Sequence, residues 1–287
     1  MKFTTPFALF AFVASALVAA PVADFRQHLG LQLYSLREQT KQSATGALDL
    51  AKSYGVTEVE TAGTGGMPAE KFLAELKSRG LKPVSAHAGY GLLKKDVAAV
   101  IREAKTLGVT YVICPYPNVG KDKLFSEEVA RQTAADFNAW GEAMRKEGLR
   151  FGFHPHGLEF RPTKAGNGET VFDILVRETK PEFVCFQMDV FWVTHAGQDP
   201  VKLLQKYPDR WVSLHVKDMR KGTLTGFHTG GTPPTDKVAV GTGQIDWPSI
   251  LRTAQTLGIR HYFIEDETPT PLQCIPDSLK YLRGLAL

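Results

Sequence analysis

Cysteine is scarce in this chain, and its few copies lie far apart. Cys114, Cys185 and Cys274 are the only cysteines among 287 residues, and no CxxC pair occurs. An odd number of widely spaced cysteines argues against a disulfide framework and against a cysteine-based zinc site. We therefore expect free thiols, with Cys114 and Cys185 packed as small apolar side chains inside strands.

Concentrated charge of one sign is also missing. The 34 basic and 30 acidic residues are interspersed and give a net charge of +4, with no dense basic stripe. Because nucleic-acid binding generally needs such a stripe, we expect no nucleic-acid partner. Long apolar runs are confined to the N-terminus, and nothing downstream is long and apolar enough to cross a bilayer.

Residues 1–20 have the pattern of a secretory signal peptide. Lys2 precedes an apolar stretch at 6–20 that ends in small residues, and a polar segment follows Pro21; this order is typical of exported proteins. The apolar run is shorter than the roughly 20 residues of a membrane span, which disfavours the alternative, an N-terminal anchor. We expect cleavage within residues 16–23, export to the periplasm, and no membrane contact for the mature chain at 24–287.

One pattern repeats through the mature chain: a short apolar run, a polar loop and an amphipathic stretch. The apolar runs predict buried parallel strands. Apolar residues at i, i+3/i+4 spacing predict helices, five of which close on a glycine suited to a left-handed cap. The predicted strands lie at 29–36, 57–62, 81–87, 109–115, 149–156, 182–190, 211–218 and 260–267, and the predicted helices at 44–55, 68–80, 94–108, 126–148, 168–180, 199–209, 247–258 and 271–285.

Eight strands alternating with eight helices predict an α/β fold, a single-domain (β/α)8 TIM barrel over residues 24–287. A doubly wound open sheet is the alternative, but the GxGxxG turn expected after its first strand is absent. GTGG at 63–66 has other spacing and is interpreted as a loop. The irregular segment 219–246, rich in Gly, Pro and Thr, follows the seventh strand. In a barrel it overhangs the active face; a lid and a mere insertion both remain open.

Polar residues end several of the apolar runs, at the edge where barrel active sites form. If the strand faces carrying them point inward, four such residues on strands five to eight converge. Two imidazoles and two carboxylates make a mixed N/O ligand set that suits Mn, Co, Zn or Fe better than Mg. The predicted metal ligands are His154, Asp189, His215 and Glu265.

Further residues near these strand ends are candidates for chemistry or substrate contact. Glu265 and His156 are candidate proton carriers, and Lys217 is placed to stabilise developing oxyanion charge. The candidate substrate contacts are His87, Glu60, Glu159 and Trp192, the last by stacking on an apolar sugar face. Structural roles in turns, surface pairs or the core are the competing interpretation for each.

In combination, LGLQLYSLRE, SAHAG, FGFHPHGLEF, FQMDVFWVTHAG, LHVKDM, GTGQIDWPSI and YFIEDE resemble the xylose-isomerase-like superfamily of TIM barrels, the sugar phosphate isomerase/epimerase family. The resemblance runs from about residue 29 to the C-terminus. It implies a divalent metal held at strands five to eight, which by motif are the same four residues. Many members carry Glu where this chain has His154, which removes one of two carboxylates used for paired proton transfer.

The resemblance implies proton abstraction next to a sugar carbonyl, helped by a metal that polarises it. A divalent-metal-dependent sugar isomerase or epimerase is the first hypothesis. A 3-keto-glycoside lyase or hydratase using the same enolisation is the alternative, and His154 is no obstacle to it. The superfamily's endonucleases are disfavoured by the missing basic stripe. A non-catalytic periplasmic sugar-binding protein is the alternative of another class. Export favours a neutral sugar over a phosphorylated one as the substrate. The sequence leaves open whether the chain forms a homo-oligomer.

Overall fold

Eight parallel strands close into a barrel in the described part of the chain, residues 24–119 and 124–287 of a computed structural model. The barrel strands are β1 (Leu29–Gln32), β2 (Glu58–Thr61), β3 (Lys82–His87), β4 (Tyr111–Cys114), β5 (Arg150–Phe153), β6 (Val184–Asp189), β7 (Trp211–Val216) and β10 (His261–Ile264). Two further short strands, β8 (Asp218–Met219) and β9 (Lys237–Val238), lie outside the barrel. The barrel order is β1-β10-β7-β6-β5-β4-β3-β2, and the pairing of β1 with β10 closes it. The predicted TIM barrel is confirmed; the predicted signal peptide lies outside the described residues.

Helices follow the barrel strands along the chain. They are α1 (Arg37–Gln42), α2 (Ala44–Ser53), α3 (Ala69–Ser78), α4 (Tyr90–Leu107), α5 (Glu127–Lys146), α6 (Val171–Glu178), α7 (Val190–His195), α8 (Pro200–Lys206), α9 (Trp247–Thr256) and α10 (Pro271–Gly284). The glycines predicted to end helices all have positive φ: Gly55, Gly80, Gly108, Gly148 and Gly258. An L-residue with a side chain would be strained at each of these ends, which is why the sequence signal was reliable.

The first predicted strand, 29–36, is too long. β1 ends at Gln32, and residues Leu33–Leu36 form a 3-10 helix. The Gln32 side chain accepts a hydrogen bond from the Tyr34 backbone N–H at 2.9 Å and donates one to Glu60 Oε1 at 2.7 Å. This cap turns the chain out of the barrel, and the buried Leu33 and Leu36 follow in a turn that contacts α1 and β2 rather than continuing the sheet.

Strands β5 and β6 also end earlier than predicted. β5 stops at Phe153, so His154 follows the strand, although its N–H still donates to the Cys114 carbonyl at 3.0 Å. β6 stops at Asp189, whose Oδ1 accepts from the Trp192 N–H at 3.0 Å and caps α7. An N-cap of this kind stabilises a helix by about 1 kcal/mol. Two short helices, α1 and α7, were therefore missed by the periodicity.

The segment 219–246 is not wholly irregular. Met219 pairs with Lys237 and Asp218 with Val238 in a two-stranded antiparallel sheet of β8 and β9. The Asp218 carboxylate accepts four backbone hydrogen bonds across this segment, from Met219, Gly241, Gly243 and Ile245. Both ends of the segment are therefore tied to the end of β7, beside the candidate site.

The cysteines behave as predicted from their scarcity. Cys114 and Cys185 are buried in strands β4 and β6 and Cys274 is partly buried; all three are free thiols. Burial raises the pKa of Cys114 to about 12 and that of Cys185 to about 11, so both remain protonated and unreactive. Among residues 24–119 and 124–287, no helix combines the length and apolarity needed to cross a membrane.

Candidate active site and metal centre

Four side chains from consecutive strand ends converge at the carboxyl edge of the barrel. One ligand-type atom of each of His154, Asp189, His215 and Glu265 lies within 4.8 Å of those of the other three. Three of the side chains are essentially inaccessible and Glu265 is 8 % exposed. The convergence follows from the topology, since parallel strands bring their carboxyl ends to the same edge.

His154 presents one nitrogen to the protein and the other to this cluster. Its Nδ1 donates to Gln187 Oε1 at 3.0 Å, which leaves Nε2 as the acceptor nitrogen. Nε2 has no hydrogen-bond partner among the described residues and lies 3.5 Å from Asp189 Oδ2. That oxygen is paired with the Lys217 Nζ at 3.1 Å. The buried Nε2 of His154 thus faces a carboxylate oxygen and is left without a hydrogen-bond partner in the described part of the chain.

His215 is oriented in the same way by a carboxylate. Its Nε2 lies 2.5 Å from Glu60 Oε1, and its Nδ1 lies 3.2 Å from Glu265 Oε2, inside the cluster. Burial disfavours the imidazolium, but Glu265 and Glu60 outweigh burial and raise the pKa of His215 to about 10. Binding a cation at Nδ1 would therefore displace a proton.

Glu60 forms the polar floor beneath the cluster. It is fully buried and also accepts hydrogen bonds from Gln32 Nε2 at 2.7 Å, from Gln187 Nε2 at 2.8 Å and from Ser85 Oγ. Burial would raise its pKa, but His87 and His215 hold the pKa well below the usual range. Glu60 is therefore a carboxylate that positions other side chains, and contact with a substrate stays a prediction.

Two irregularities in the sheet lie beside this floor. Between β2 and β3 the extra residue is on β3, before Ser85, and between β6 and β7 it is on β7, before Ser213. An extra residue of this kind bends its strand and redirects the side chain that follows. Ser85 donates a hydrogen bond to Glu60 and Ser213 accepts one from Gln187, so both serines support the outer partners of the histidines.

Lys217 supplies the positive charge of the site. Its Nζ lies 2.6 Å from Glu265 Oε2, 2.7 Å from Glu267 Oε2 and 3.1 Å from Asp189 Oδ2. Burial opposes its charge, yet Asp189, Glu265 and Glu267 raise its pKa well above the usual range, so it is an ammonium. Sequence reasoning missed Glu267, although it stands two residues after Glu265 and the alternation of side chains along an extended segment could have found it.

The donor set fits a divalent transition metal. Each histidine has one nitrogen bonded to an outer partner and the other turned towards Asp189 or Glu265, the usual arrangement around metal-binding imidazoles. A cation beside Asp189 Oδ2 would satisfy His154 Nε2, the nitrogen that has no hydrogen-bond partner among the described residues. Two nitrogens and two carboxylate oxygens suit Zn, Mn, Co or Fe.

A cleft of about 420 Å³ opens above this centre. It is lined by Tyr34, His87, Tyr116, His156, Glu265 and Glu267, among others. The structure thus brings the predicted residues His87, His156 and Glu265 to one cavity. Tyr34 and Tyr116 were not singled out from sequence, because nothing in their local pattern distinguishes them from surface tyrosines.

His156 lines the cleft, and the fully buried Glu159 lies behind it. The His156 backbone N–H donates to Glu159 Oε2 at 3.0 Å, while His156 Nδ1 and Glu159 Oε1 have no hydrogen-bond partner among the residues described. Burial, and then the nearby Lys217, lower the pKa of His156 to about 3, so it is a neutral imidazole. Burial raises the pKa of Glu159 to about 8, so this fully buried side chain is a carboxylic acid at neutral pH.

Trp192 is covered by cations in this structure. Its ring is 4 % exposed and lies 5.8 Å from Lys217 Nζ and 5.4 Å from Lys237 Nζ. Lys237 comes from β9, and its Nζ is 3.8 Å from Glu267 Oε2. The segment between β7 and α9 therefore reaches the site through Lys237. Stacking of a sugar on Trp192 stays a prediction.

A family model described as xylose isomerase-like TIM barrel matches residues 48–285. The chain belongs to this family. The match includes the four convergent strand ends as well as Lys217 and the carboxylates around it. It therefore agrees with the resemblance inferred from the motifs.

Curated relatives are similar to this chain over part of their length. Identity is 27 % over 102 residues to an inosose dehydratase of Clostridium tetani, covering 35 % of this chain and 32 % of that protein. It is 26 % over 188 residues to the rhizopine catabolism protein MocC of Rhizobium meliloti, covering 60 % and 56 %. The alignments span between about a third and just over half of these relatives.

Solved structures share the fold over most of the chain. A sugar phosphate isomerase/epimerase from Parabacteroides distasonis has a TM-score of 0.74 and 27 % identity, covering 90 % of this chain and 98 % of that one. The IOLI protein with a bound zinc atom has a TM-score of 0.67 and 17 % identity, covering 89 % and 95 %. The 3-keto-D-glucoside 4-epimerase YcjR of E. coli has a TM-score of 0.61 and 14 % identity, covering 90 % and 99 %. The last two show the common fold alone.

Proposed function

We propose that this protein is a divalent-metal-dependent enzyme that removes a proton next to the carbonyl of a keto sugar. One observation carries the proposal: His154 Nε2 is buried, has no hydrogen-bond partner in the described chain and faces Asp189 Oδ2 at 3.5 Å. Both residues belong to a four-residue ligand cluster beneath the cleft. A cation held there would polarise the carbonyl and acidify the neighbouring C–H bond.

Two carboxylates at the end of β10 can accept that proton. Glu265 and Glu267 both line the cleft and share the Lys217 ammonium. Glu265 also belongs to the ligand cluster, whereas Glu267 does not. We therefore assign Glu265 as a ligand of the cation and Glu267 as the base that accepts the proton. Glu265 is the second candidate for the base. The Lys217 ammonium offsets negative charge that develops on the substrate oxygen.

The site supports two outcomes of the same proton transfer. In elimination, the C–H electron pair forms a C=C bond while the group on the next carbon leaves with a proton from an acid. In epimerisation or isomerisation, a proton returns to another face or another carbon. We favour elimination because Glu265 and Glu267 both follow β10, so the two cleft carboxylates come from one strand end. Paired proton transfer would use a second carboxylate facing them from β5, where this chain has His154. Inosose dehydratases among the relatives are eliminating enzymes by name.

The substrate class depends on where the protein works. We propose export to the periplasm, supported by the signal-like pattern of residues 1–20. A neutral keto sugar or keto-glycoside then fits better than a sugar phosphate. N-terminal sequencing of the protein from a periplasmic extract tests this: a mature start within 17–24 supports export, and a chain that retains Met1 in the cytoplasm contradicts it.

Metal analysis tests the cation site. Protein purified from metal-supplemented medium is expected to hold a divalent transition metal, and His215→Ala and Glu265→Ala are expected to lower its metal content. Glu103→Gln, on the exposed surface of α4, is the matched control and is expected to change nothing. A wild type that binds no such metal, with variants that behave identically, would defeat the proposal.

Deuterium exchange tests the chemistry. With 3-keto-glycosides in deuterated water, solvent deuterium next to the carbonyl is expected, and release of the aglycone with a conjugated enone identifies elimination. Glu267→Gln is expected to keep its metal and lose exchange, whereas Glu265→Gln loses both. Binding of sugars without any exchange would favour a non-catalytic sugar-binding protein.

A further inference from the structure

A second cluster of ligand-type side chains lies at the opposite end of the barrel. His28 immediately precedes β1, Glu58 begins β2 and His261 begins β10. Because the barrel strands are parallel, their first residues lie at the edge away from the candidate active site. Nothing in the proposed chemistry uses these three residues.

The three side chains converge on a common point. Glu58 Oε1 is 3.2 Å from His28 Nδ1, and Glu58 Oε2 is 2.7 Å from His261 Nδ1. One ligand-type atom from each residue lies within 4.8 Å of the other two. The side chains are 29 %, 10 % and 17 % exposed in the order His28, Glu58, His261, so the cluster is supported by the protein and open to solvent.

Neighbouring aromatic rings hold His261 in place. Its ring stacks on the buried Phe263 ring at 6.2 Å and 11° and meets the edge of Tyr111 at 6.0 Å. The His28 ring stands edge-on to it at 5.7 Å. A ligand held in one orientation loses little entropy on binding a metal, and packing of this kind is what a preorganised site requires.

We propose that His28, Glu58 and His261 bind a divalent transition metal, zinc in the first instance, in a structural site separate from the active centre. Two imidazoles and one carboxylate are a common zinc ligand set, and the solvent-exposed side leaves room for water as the fourth ligand. The ion would connect β10, β2 and the residue before β1, where the two ends of the barrel meet; His261 and Glu58 are 203 residues apart in sequence. Because only the folded chain brings them together, binding would stabilise the fold.

Zinc stoichiometry, measured by competition with a chromophoric chelator, tests this proposal. Glu58→Gln and His261→Ala are each expected to bind one zinc fewer than the wild type. His228→Ala, which removes a histidine from the segment at the other end of the barrel, is the control and keeps the wild-type number. Glu58→Gln with unchanged stoichiometry overturns the proposal.

A variant that lacks an active-centre ligand distinguishes zinc at this site from zinc at the active centre. His215→Ala removes a ligand of the active centre only, so it is expected to retain the zinc bound at this site. Adding Glu58→Gln to His215→Ala is then expected to abolish that zinc. If His215→Ala and the wild type bind the same number, the active-centre assignment fails while this one stands. If His215→Ala binds no zinc at all, the present proposal fails.

The shift in thermal unfolding midpoint on adding zinc distinguishes loss of zinc binding from poor folding of a variant. At a hundredfold excess of zinc over its dissociation constant, the midpoint of His215→Ala is expected to rise by on the order of 5 °C. The rise is expected to vanish in His215→Ala/His28→Asn, which changes only the most exposed of the three ligands. An equal rise in both proteins means that zinc acts elsewhere and contradicts the proposal.

Discussion

Glu60 Oε1 and His215 Nε2 are joined at 2.5 Å across the inside of the barrel, although 155 residues separate them in sequence. This bond turns the other nitrogen of His215 towards Glu265. The same carboxylate is bonded to Gln187, which in turn orients His154. One buried carboxylate therefore sets the direction of both imidazoles in the proposed metal centre.

Glu60→Gln is expected to weaken metal binding at the active centre about 10- to 100-fold, the usual cost of losing an outer partner of a metal-binding histidine. The neutral amide no longer fixes the tautomer of His215. Competition with a chelator measures the affinity, and Glu103→Gln serves as the surface control. Unchanged affinity in Glu60→Gln would mean that His215 is positioned by other contacts.

His154→Glu is expected to keep a bound cation but to shift the preference from zinc towards manganese or magnesium. A carboxylate is a harder ligand than an imidazole, and harder cations favour oxygen. His154→Ala is expected to lose metal instead. Metal content after growth with equal zinc and manganese checks the shift, and a zinc-to-manganese ratio like that of the wild type would contradict it.

Lys217→Met is expected to make stability dependent on added metal. The variant leaves Asp189, Glu265 and Glu267 without their shared ammonium. Removing one partner of a buried ion pair typically costs about 3–5 kcal/mol. Urea unfolding with EDTA should show the loss, and added zinc should restore part of it. Lys202→Met, on an exposed helix surface, is the control. Equal stability with and without zinc would argue against a cation at this site.

Glu159→Gln is expected to gain stability over the wild type as pH rises. The folded pKa of Glu159 is about 8 against an ordinary 4.5, so the unfolded chain releases this proton first. Stability is then lost between these values by about 1.4 kcal/mol per pH unit, and not below or above them. The amide has no such loss, so its advantage should grow by on the order of 3 kcal/mol from about pH 5 to pH 7.5. Parallel unfolding curves at both pH values would show that Glu159 is not held neutral.

Asp218→Ala is expected to release the segment 219–246. The change removes the acceptor of four backbone N–H groups, from Met219, Gly241, Gly243 and Ile245. Each buried donor left unpaired costs about 1–3 kcal/mol. Limited proteolysis should cut this segment faster than in the wild type. Lys221→Ala, at an exposed position of the same segment, is the comparison. Equal cutting rates in wild type and Asp218→Ala would contradict this role.

Local sequence determined the barrel and its edge. Apolar runs of strand length, helical periodicity and closing glycines such as Gly108 depend on neighbouring residues, so they can be read one segment at a time. Once the strands are parallel, residues that follow them, such as His154 and Glu265, must share one end of the barrel. The predicted ends of β1 and β6 were wrong for reasons that are also local. At Gln32 and Asp189 a side chain caps the next turn and ends the strand early.

The tertiary structure alone decided which side chains meet. Glu60 comes from β2 and bonds His215 on β7 because closure of the barrel turns both side chains into one interior. Likewise, no sequence pattern connects His28 and Glu58 with His261, because the contact exists only where the first and last barrel strands pair. The sequence by itself therefore determined the fold and the edge that carries the chemistry. The partners of each ligand were decided by contacts between strands far apart in the chain, which depend on barrel closure rather than on neighbouring residues.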